Sequence, residues 1–174
     1  EQYQAVYHEH MLQMFSERPY LWSTFVWNMF DFAADAREEA GDNGVNHKGL
    51  VSFDRKVRKD AFYIYKAWWS KEPFVHVCGS RYVDRVEDET EIKVYSNQPK
   101  VALYVNGALV EEKEGEHIFI FHIPNVGEQT ITAKAGELSD EIAIRKVDTP
   151  NPDYRFYEKK DEGDVKNWFE SDQI

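Results

Sequence analysis

The chain has 174 residues, of which 42% are hydrophobic, so it can bury the core of one domain or of two small ones. Its 32 acidic residues outnumber its 21 basic residues and give a net charge of −11. This balance excludes a nucleic acid or an anionic membrane as partner, because both require a basic surface. The one cysteine, Cys78, excludes an intrachain disulfide, and we expect its apolar surroundings to bury it.

A helix with one apolar face is predicted for residues 2–16. Its hydrophobic side chains recur at helical spacing: Tyr3, Val6, Tyr7, Met11, Met14 and Phe15. No capping residue precedes this helix, so we expect the chain to be the tail of a larger enzyme. Pro19 ends the helix, and the apolar run at residues 21–26 predicts a strand that is covered on both faces.

A polar stretch and a second helix follow. Residues 31–46 are rich in Ala, Asp, Glu and Gly, which predicts a long loop. The helical period returns after Arg55, with Val57, Ala61, Ile64, Tyr65 and Trp68 on one face. The aromatic run at residues 62–69 could be a carbohydrate platform, but its helical spacing favours a role in the core.

The period changes to two from Phe74 onward, which predicts short strands. Asn106-Gly107 lies between two of them and is typical of a two-residue hairpin turn. This spacing predicts an immunoglobulin-like β-sandwich, with antiparallel strands throughout, over residues 73–147. Residues 148–174 are rich in Pro, Asp and Lys and end near Trp168 and Phe169, which indicates a linker or tail toward a further module.

Several long motifs carry a family resemblance. They are RPYLW at residues 18–22, FVWNMFDF at 25–32, NHKGLV at 46–51, DRK at 54–56 and KDAFYIYKA at 59–67. Residues 1–72 resemble the C-terminal end of the catalytic (β/α)8 TIM barrel of glycoside hydrolase family 2, most closely the bacterial β-galactosidases. Residues 73–147 are similar to the immunoglobulin-like domain that follows that barrel. The resemblance therefore implies an α/β part followed by an all-β part.

The resemblance implies a retaining β-glycosidase that hydrolyses terminal β-D-galactosides. Retention requires two carboxyl groups about 5–5.5 Å apart, one as acid/base and one as nucleophile. In the family both glutamates lie on barrel strands that precede the motifs found here, so we expect no catalytic residue in this chain and no activity from it alone. No cofactor is implied. The expected partner is a carbohydrate. The sequence leaves open whether the enzyme forms a homo-oligomer and whether it lies in the periplasm or in the cytoplasm.

Trp27 and Asn28 are candidate substrate-binding residues. The resemblance places Trp27 on the floor of the sugar site, where an indole ring can stack against the C–H face of a pyranose. The alternative is a tryptophan in the barrel core, which is the role we expect for Trp22. The nearby Asp31, Asp35, Glu38 and Glu39 could suggest acid/base work, but a solvated acidic loop is favoured. Asp31 is expected to anchor that loop to Arg37 or Arg55.

Asn46 and Lys48 are the other candidate substrate-binding residues. The Asn-x-Lys step resembles the carboxylate-recognition motif of family 2 β-glucuronidases, and an ammonium with an amide suits a uronic acid carboxylate. Similar strings occur in sequences that look like β-galactosidases, so β-glucuronidase is the alternative to the favoured galactosidase. His47 is more typical of a surface or packing position, and the scattered histidines predict no metal site.

A rival hypothesis is a non-catalytic carbohydrate-binding or purely structural β-sandwich. Binding would require a row of exposed aromatic side chains on one sheet face. Phe119 and Phe121 share one face of their strand, and Tyr95 and Tyr104 lie on neighbouring strands. Exposure of these four rings would favour the rival hypothesis.

Overall fold

The computed structural model describes residues 1–39 and 42–154, without the side chains of residues 36–39, 42 and 43. These residues form two units: Glu1–Thr24 with Lys59–Tyr154, and Phe25–Arg58. Two sets of predictions lie outside this description. They concern the side chains of Arg37, Glu38 and Glu39, and the part of the predicted tail at residues 155–174.

Helix α1 (Gln2–Ser16) matches the predicted bounds, but the predicted buried face is wrong. The buried residues are Ala5, His8 and Leu12. Tyr3, Val6 and Tyr7 are exposed, Tyr3 by 85%. The reason is the partner of the helix: His8 Nδ1 lies 2.9 Å from the hydroxyl of Tyr65 on helix α2 (Asp60–Trp69). Packing against α2 therefore decides which face of α1 is covered.

Residues 21–26 do not form the predicted strand. No regular secondary structure covers them, and Trp22, expected in the core, is 93% exposed. A strand requires a neighbour that pairs with its backbone amides and carbonyls. Among the described strands, none pairs with this segment.

A β-hairpin replaces the loop predicted at residues 31–46. Strand β1 (Phe32–Glu39) pairs antiparallel with β2 (Asp42–Asn46), and the register shifts between Ala33 and Glu38. The hairpin shows no clear alternation of apolar and polar residues along its strands, so the pattern that identifies half-buried strands is missing from its sequence.

Helix α2 confirms the second predicted helix, but of its aromatic residues only Tyr65 is buried. Ala61, Ile64 and Tyr65 are buried, whereas Trp69 is more than half exposed. The Trp68 ring stacks on His117 of the sandwich at 3.9 Å between centroids. Salt bridges add to this packing, since Lys93 Nζ lies 2.9 Å from Glu9 of α1. Both helices therefore pack against the sandwich.

The β-sandwich is confirmed and consists of two sheets. One has the order β4-β10-β9-β6-β7 and the other β3-β5-β8. Residues from both sheets form the core, among them Val94, Leu103, Phe121, Ile131 and Ile144. This division matches the A, B, E and C, F, G grouping of immunoglobulin domains. The strands are β3 (Val75–Val77), β4 (Asp84–Arg85), β5 (Glu89–Ser96), β6 (Lys100–Val105), β7 (Ala108–Glu114), β8 (His117–Pro124), β9 (Glu128–Ala135) and β10 (Leu138–Lys146).

The expectation of antiparallel pairing throughout is wrong at one place, where β4 runs parallel to β10. The Arg145 N–H donates to the Val83 carbonyl at 2.8 Å and the Val147 N–H to the Arg85 carbonyl at 3.0 Å. The Asn106-Gly107 turn is confirmed between β6 and β7. Both residues have positive φ, 50° and 82°, as a type I′ turn requires.

Two of the aromatic residues that would favour a carbohydrate-binding sandwich, Phe119 and Phe121, point into its core instead, and Ile120 takes the outward position between them. Tyr95 is buried on the other face of its strand, where its hydroxyl donates to Glu9 of α1, and Tyr104 is half-buried. The reason is the pleat, which sends alternate side chains to opposite faces. The face assignment in the rival hypothesis is therefore reversed, and its row of exposed rings is absent from these positions.

The C-terminal end of the described chain contacts the sandwich through a short 3-10 helix at Pro152–Tyr154. The Tyr154 hydroxyl accepts the Val83 N–H at 3.1 Å, and Asn151 Nδ2 donates to Asp84 at 2.8 Å. Of the helices in the described ranges, none has the length and hydropathy to cross a membrane.

Candidate functional site

The candidate site lies in the unit Phe25–Arg58, whose frame is a short parallel backbone pairing. The Leu50 N–H donates to the Asn28 carbonyl and the Val51 N–H to the Met29 carbonyl, both at 3.0 Å. In the opposite direction, the Asp31 N–H donates a hydrogen bond to the Val51 carbonyl at 2.9 Å. This frame places the residues after Trp27 beside those after Lys48, although 20 or more positions separate them in sequence.

Gly49 is required where these two segments approach. A Cβ added to Gly49 would lie 2.0 Å from the Asp31 amide nitrogen and 2.2 Å from the Phe30 carbonyl carbon. The Gly49 N–H donates to Asp31 Oδ1 at 2.9 Å. The absence of a side chain thus lets the loop bearing Asn46 and Lys48 lie directly on the backbone of the segment that follows Trp27.

The hairpin brings Asn46 to the same end of the unit as Trp27. Phe32 and Asn46 are opposite residues in the β1–β2 register. The Trp27 and Phe32 rings meet edge to face with centroids 6.1 Å apart. Trp27 is 71% exposed, so it is not the core residue that the alternative prediction required. Its peptide bond to Asn28 is cis.

Asn46 and Lys48 are linked through a tight turn. Asn46 Oδ1 accepts the Lys48 N–H at 3.0 Å, as in an Asx-turn. Asn46 is buried and Lys48 is exposed, so Asn46 shapes the turn while Lys48 lies at the surface of the unit. His47 lies between them and is half-buried, with Nδ1 3.6 Å from Asp31 Oδ2.

The structure thus connects all four predicted substrate-binding residues in one unit. Trp27 contacts the hairpin, Asn28 binds Leu50 through its carbonyl, and Asn46 holds Lys48. Asp31 anchors a loop as expected, through Gly49 and His47, while the Arg37 side chain lies outside the described residues. The Arg55 guanidinium instead lies over the Phe30 ring, 4.5 Å from its centroid.

Sequence reasoning missed Gly49 and Phe32 as parts of this site. Gly49 was visible only as one letter of the NHKGLV motif, and nothing in the sequence marks the approach of two backbones. Phe32 fell within the loop predicted at residues 31–46, whereas its role depends on the hairpin register. Both positions are defined by pairing between distant segments.

A second polar cluster lies in the other unit, around His76 on β3. His76 Nε2 lies 3.1 Å from Asp60 Oδ1, and Nδ1 lies 3.1 Å from Asp140 Oδ2. Burial alone lowers the pKa of His76, but hydrogen bonds to Asp140 and Asp60 and their charges outweigh it, so the pKa is raised. The ring therefore links the first residue of α2 to β10.

Asp60, His76 and Cys78 have ligand atoms within 4.8 Å of one another, the geometry of a candidate metal site. Both imidazole nitrogens already face carboxylates, so a metal ion would have to displace the Asp60 contact. Burial, followed by the charge of Asp60, raises the pKa of the Cys78 thiol well above its usual range. Its burial agrees with the prediction, and the raised pKa opposes the thiolate form that binds metals.

A cavity of about 360 Å³ adjoins Cys78 and is lined by residues of α1, β4 and β5. Its two cations are engaged within the protein. The Arg85 guanidinium donates to Thr90 Oγ1 at 2.8 Å, and Lys93 donates to Glu9 at 2.9 Å. Burial lowers the pKa of Arg85. This cavity therefore offers packing and internal ion pairs, and it contains none of the predicted substrate-binding residues.

Known proteins provide an independent comparison. No protein-family profile matches the chain. A β-glucuronidase of Bacteroides fragilis is 40% identical over 159 residues, which are 86% of this chain and 23% of that protein.

Two crystal structures share the fold. The FMN-binding β-glucuronidase of Faecalibacterium prausnitzii L2-6 has 47% identity and a TM-score of 0.84, covering 88% of this chain and 24% of that one. A putative β-galactosidase of Bacteroides fragilis has 32% identity and a TM-score of 0.77, covering 83% and 23%. The chain spans about a quarter of the length of these relatives. In sequence and fold, it is similar to one segment of bacterial glycoside hydrolases.

Proposed function

We propose that the enzyme carrying this chain is a retaining β-glycosidase of glycoside hydrolase family 2 that removes terminal β-D-glucuronic acid. The observation that carries the proposal is the Asn46–Lys48 turn, held at the hairpin end that Trp27 contacts. An exposed lysine and an exposed indole ring in the same unit suit a sugar that bears a carboxylate. The names of two relatives, both β-glucuronidases, support this choice over the β-galactoside that the motifs alone favoured.

Each site residue has a proposed role. Trp27 stacks against the apolar face of the pyranose, Lys48 pairs with the uronate carboxylate, and Asn46 fixes the turn while its amide lines the site. Asn28 joins the site at the end of the Trp27 segment. The two catalytic carboxyl groups of a retaining mechanism, about 5–5.5 Å apart, belong to other segments of the enzyme.

We also propose the domain assignment that the motifs imply. Residues 1–72 form the end of the catalytic barrel, residues 73–147 the sandwich that supports it, and residues 148–174 a linker. The exposed apolar side chains of Tyr3, Trp22 and Phe25 support this assignment, since exposed apolar patches mark surfaces that another element covers.

A β-galactosidase is the second candidate, because one structural relative carries that name. A galactoside has no carboxylate, so Lys48 would then have no charged group to bind. The two candidates therefore differ in what they require of Lys48.

The test is hydrolysis of nitrophenyl β-D-glucuronide and nitrophenyl β-D-galactoside by the enzyme that contains this chain, before and after Lys48→Ala. We expect the glucuronide to be preferred, and the substitution to lower its kcat/KM by about 10- to 100-fold, the value of a charge-assisted hydrogen bond. Lys56→Ala is the control, because Lys56 is 81% exposed in the same unit and pairs only loosely with Asp54 at 3.7 Å.

Activity on the galactoside alone would contradict the proposal and favour the second candidate. An equal loss on both substrates, or an equal loss in the two lysine variants, would contradict the role of Lys48 while leaving a glycosidase in place.

A further inference from the structure

We propose that Asp31 is the positioning residue of the uronate site: it holds the 46–49 loop (Asn46, His47, Lys48 and Gly49) where Lys48 can meet the sugar carboxylate. This inference rests on the proposed function, and it adds a residue that contacts no substrate itself. The loop and Asp31 belong to the same unit.

The carboxylate of Asp31 reaches two residues of the loop at once. Oδ1 accepts the Gly49 N–H at 2.9 Å, and Oδ2 lies 3.6 Å from His47 Nδ1. These contacts lie on both sides of Lys48 in sequence. A single side chain therefore constrains the backbone that precedes and follows the ammonium-bearing residue.

Asp31 is itself held by the backbone frame. The Asp31 N–H donates to the Val51 carbonyl at 2.9 Å, and Asp31 is only 2% exposed. The close approach of Gly49 to the Asp31 amide leaves no room for a shift at this point. The position of Asp31 therefore fixes the position of the 46–49 loop. Because the Asp31 carboxylate is buried and both of its oxygens face the loop, it is unsuited to catalysis on a sugar.

The chemistry of the contacts explains why an acid is required. An aspartate offers acceptor sites on both oxygens, whereas asparagine keeps one oxygen acceptor and replaces the other with an NH2 donor. Asn at position 31 would keep the Gly49 bond through its amide oxygen, but its NH2 group would replace the carboxylate oxygen that lies 3.6 Å from His47 Nδ1. Ala would lose both, and it would leave the Gly49 N–H buried without its acceptor.

The experiment uses the enzyme that contains this chain, with Asp31→Asn, Asp31→Ala and the control Asp35→Asn. Asp35 is an exposed acid on β1, so its substitution removes the same charge from the same hairpin. KM and kcat for nitrophenyl β-D-glucuronide are measured together with the melting temperature. We expect Asp31→Ala to raise KM by about tenfold or more, since small displacements of a binding group have effects of this size.

Asp31→Asn should give an intermediate KM, and Asp35→Asn should match the unmodified enzyme. A fall in kcat at unchanged KM would indicate only loss of folded protein and would overturn the positioning role, as would an unchanged KM in both Asp31 variants. If Asp31→Ala does not fold, the KM of Asp31→Asn decides the question. An unmodified enzyme that does not hydrolyse the glucuronide would reject the proposed function itself, a result distinct from failure of the variants.

Discussion

At the scale of single residues, the site depends on contrasts between neighbours. Asn46 is buried and Lys48 is exposed, although one residue separates them. Asp31 is buried, and Trp27, four positions earlier, is 71% exposed. Because the backbone pairing at Asn28, Met29 and Asp31 orients this segment, each side chain is assigned to the interior or to the surface by its place in the pairing.

The first residue-scale prediction concerns Gly49→Ala. The added Cβ would overlap the Asp31 nitrogen and Phe30 carbonyl carbon, which are backbone atoms and cannot rotate away. We expect the pairing to open, at a cost near the upper end of the about 1–3 kcal/mol typical of overpacking. Hydrogen exchange at the Asp31 and Val51 amides measures this, and both amides should lose protection.

The matched control for this prediction is Gly44→Ala in the same hairpin. Gly44 has a positive φ of 74° but open space around its Cβ position, so this variant carries only the conformational cost, about 1 kcal/mol. Retained protection at Asp31 and Val51 in Gly49→Ala would show that the close approach is absent in solution.

At the scale of elements, His76 links the start of α2 to strand β10. The ring also stacks on Tyr63 of α2 with centroids 3.6 Å apart. Asp140 accepts the Val77 N–H at 2.8 Å, and Asp60 accepts the Gly79 N–H at 3.0 Å. The helix is therefore held to the sandwich by a chain of buried polar contacts in addition to apolar packing.

This link predicts a pH dependence of stability. The folded-state pKa of His76 lies above its unfolded value of about 6.5, so its contribution is complete below that pH and is lost as the pH rises through the folded pKa. Burial raises the pKa of Asp140, but hydrogen bonds from His76 and the Val77 N–H outweigh it and the pKa is lowered. The Asp140 contribution is therefore lost only as the pH falls through that lowered value.

His76→Gln should lower the free energy of unfolding by about 3 kcal/mol near pH 6, as for other broken buried pairs. The difference should shrink as the pH rises through the folded-state pKa of His76, because the imidazolium then loses its proton in the unmodified protein as well. Urea unfolding at several pH values measures it. His122→Gln is the control, since His122 is exposed and lies 3.8 Å from an exposed Glu89. A difference that grows with pH would contradict this sign.

The elements also show which sequence patterns are reliable. Alternation predicted the sandwich strands, and Asn106-Gly107 predicted its turn, because both signals are local consequences of the pleat and of positive φ. The apolar run at residues 21–26 was misleading, since a strand also requires a partner. The hairpin β1–β2 went unpredicted because its polar sequence carries no alternation.

At the scale of the whole molecule, the chain spans about a quarter of the length of its relatives. We predict that residues 1–174 alone do not hydrolyse nitrophenyl glucuronide or galactoside, because the family resemblance places both catalytic carboxyl groups in other segments. Rates of the purified chain against buffer measure this. Saturable turnover that exceeds buffer would contradict the assignment of catalysis to those segments.

The sequence by itself determined the two helices and the β-sandwich, because periodicity is a local property of a chain. The candidate residues Trp27, Asn28, Asn46 and Lys48 rest on the family resemblance of its motifs and stay predictions. Only the tertiary structure decided which face of α1 is buried, that Asp31 binds Gly49 and His47, and that β4 runs parallel to β10. Those features depend on contacts between residues far apart in sequence, and no local pattern encodes the distance at which two backbones meet.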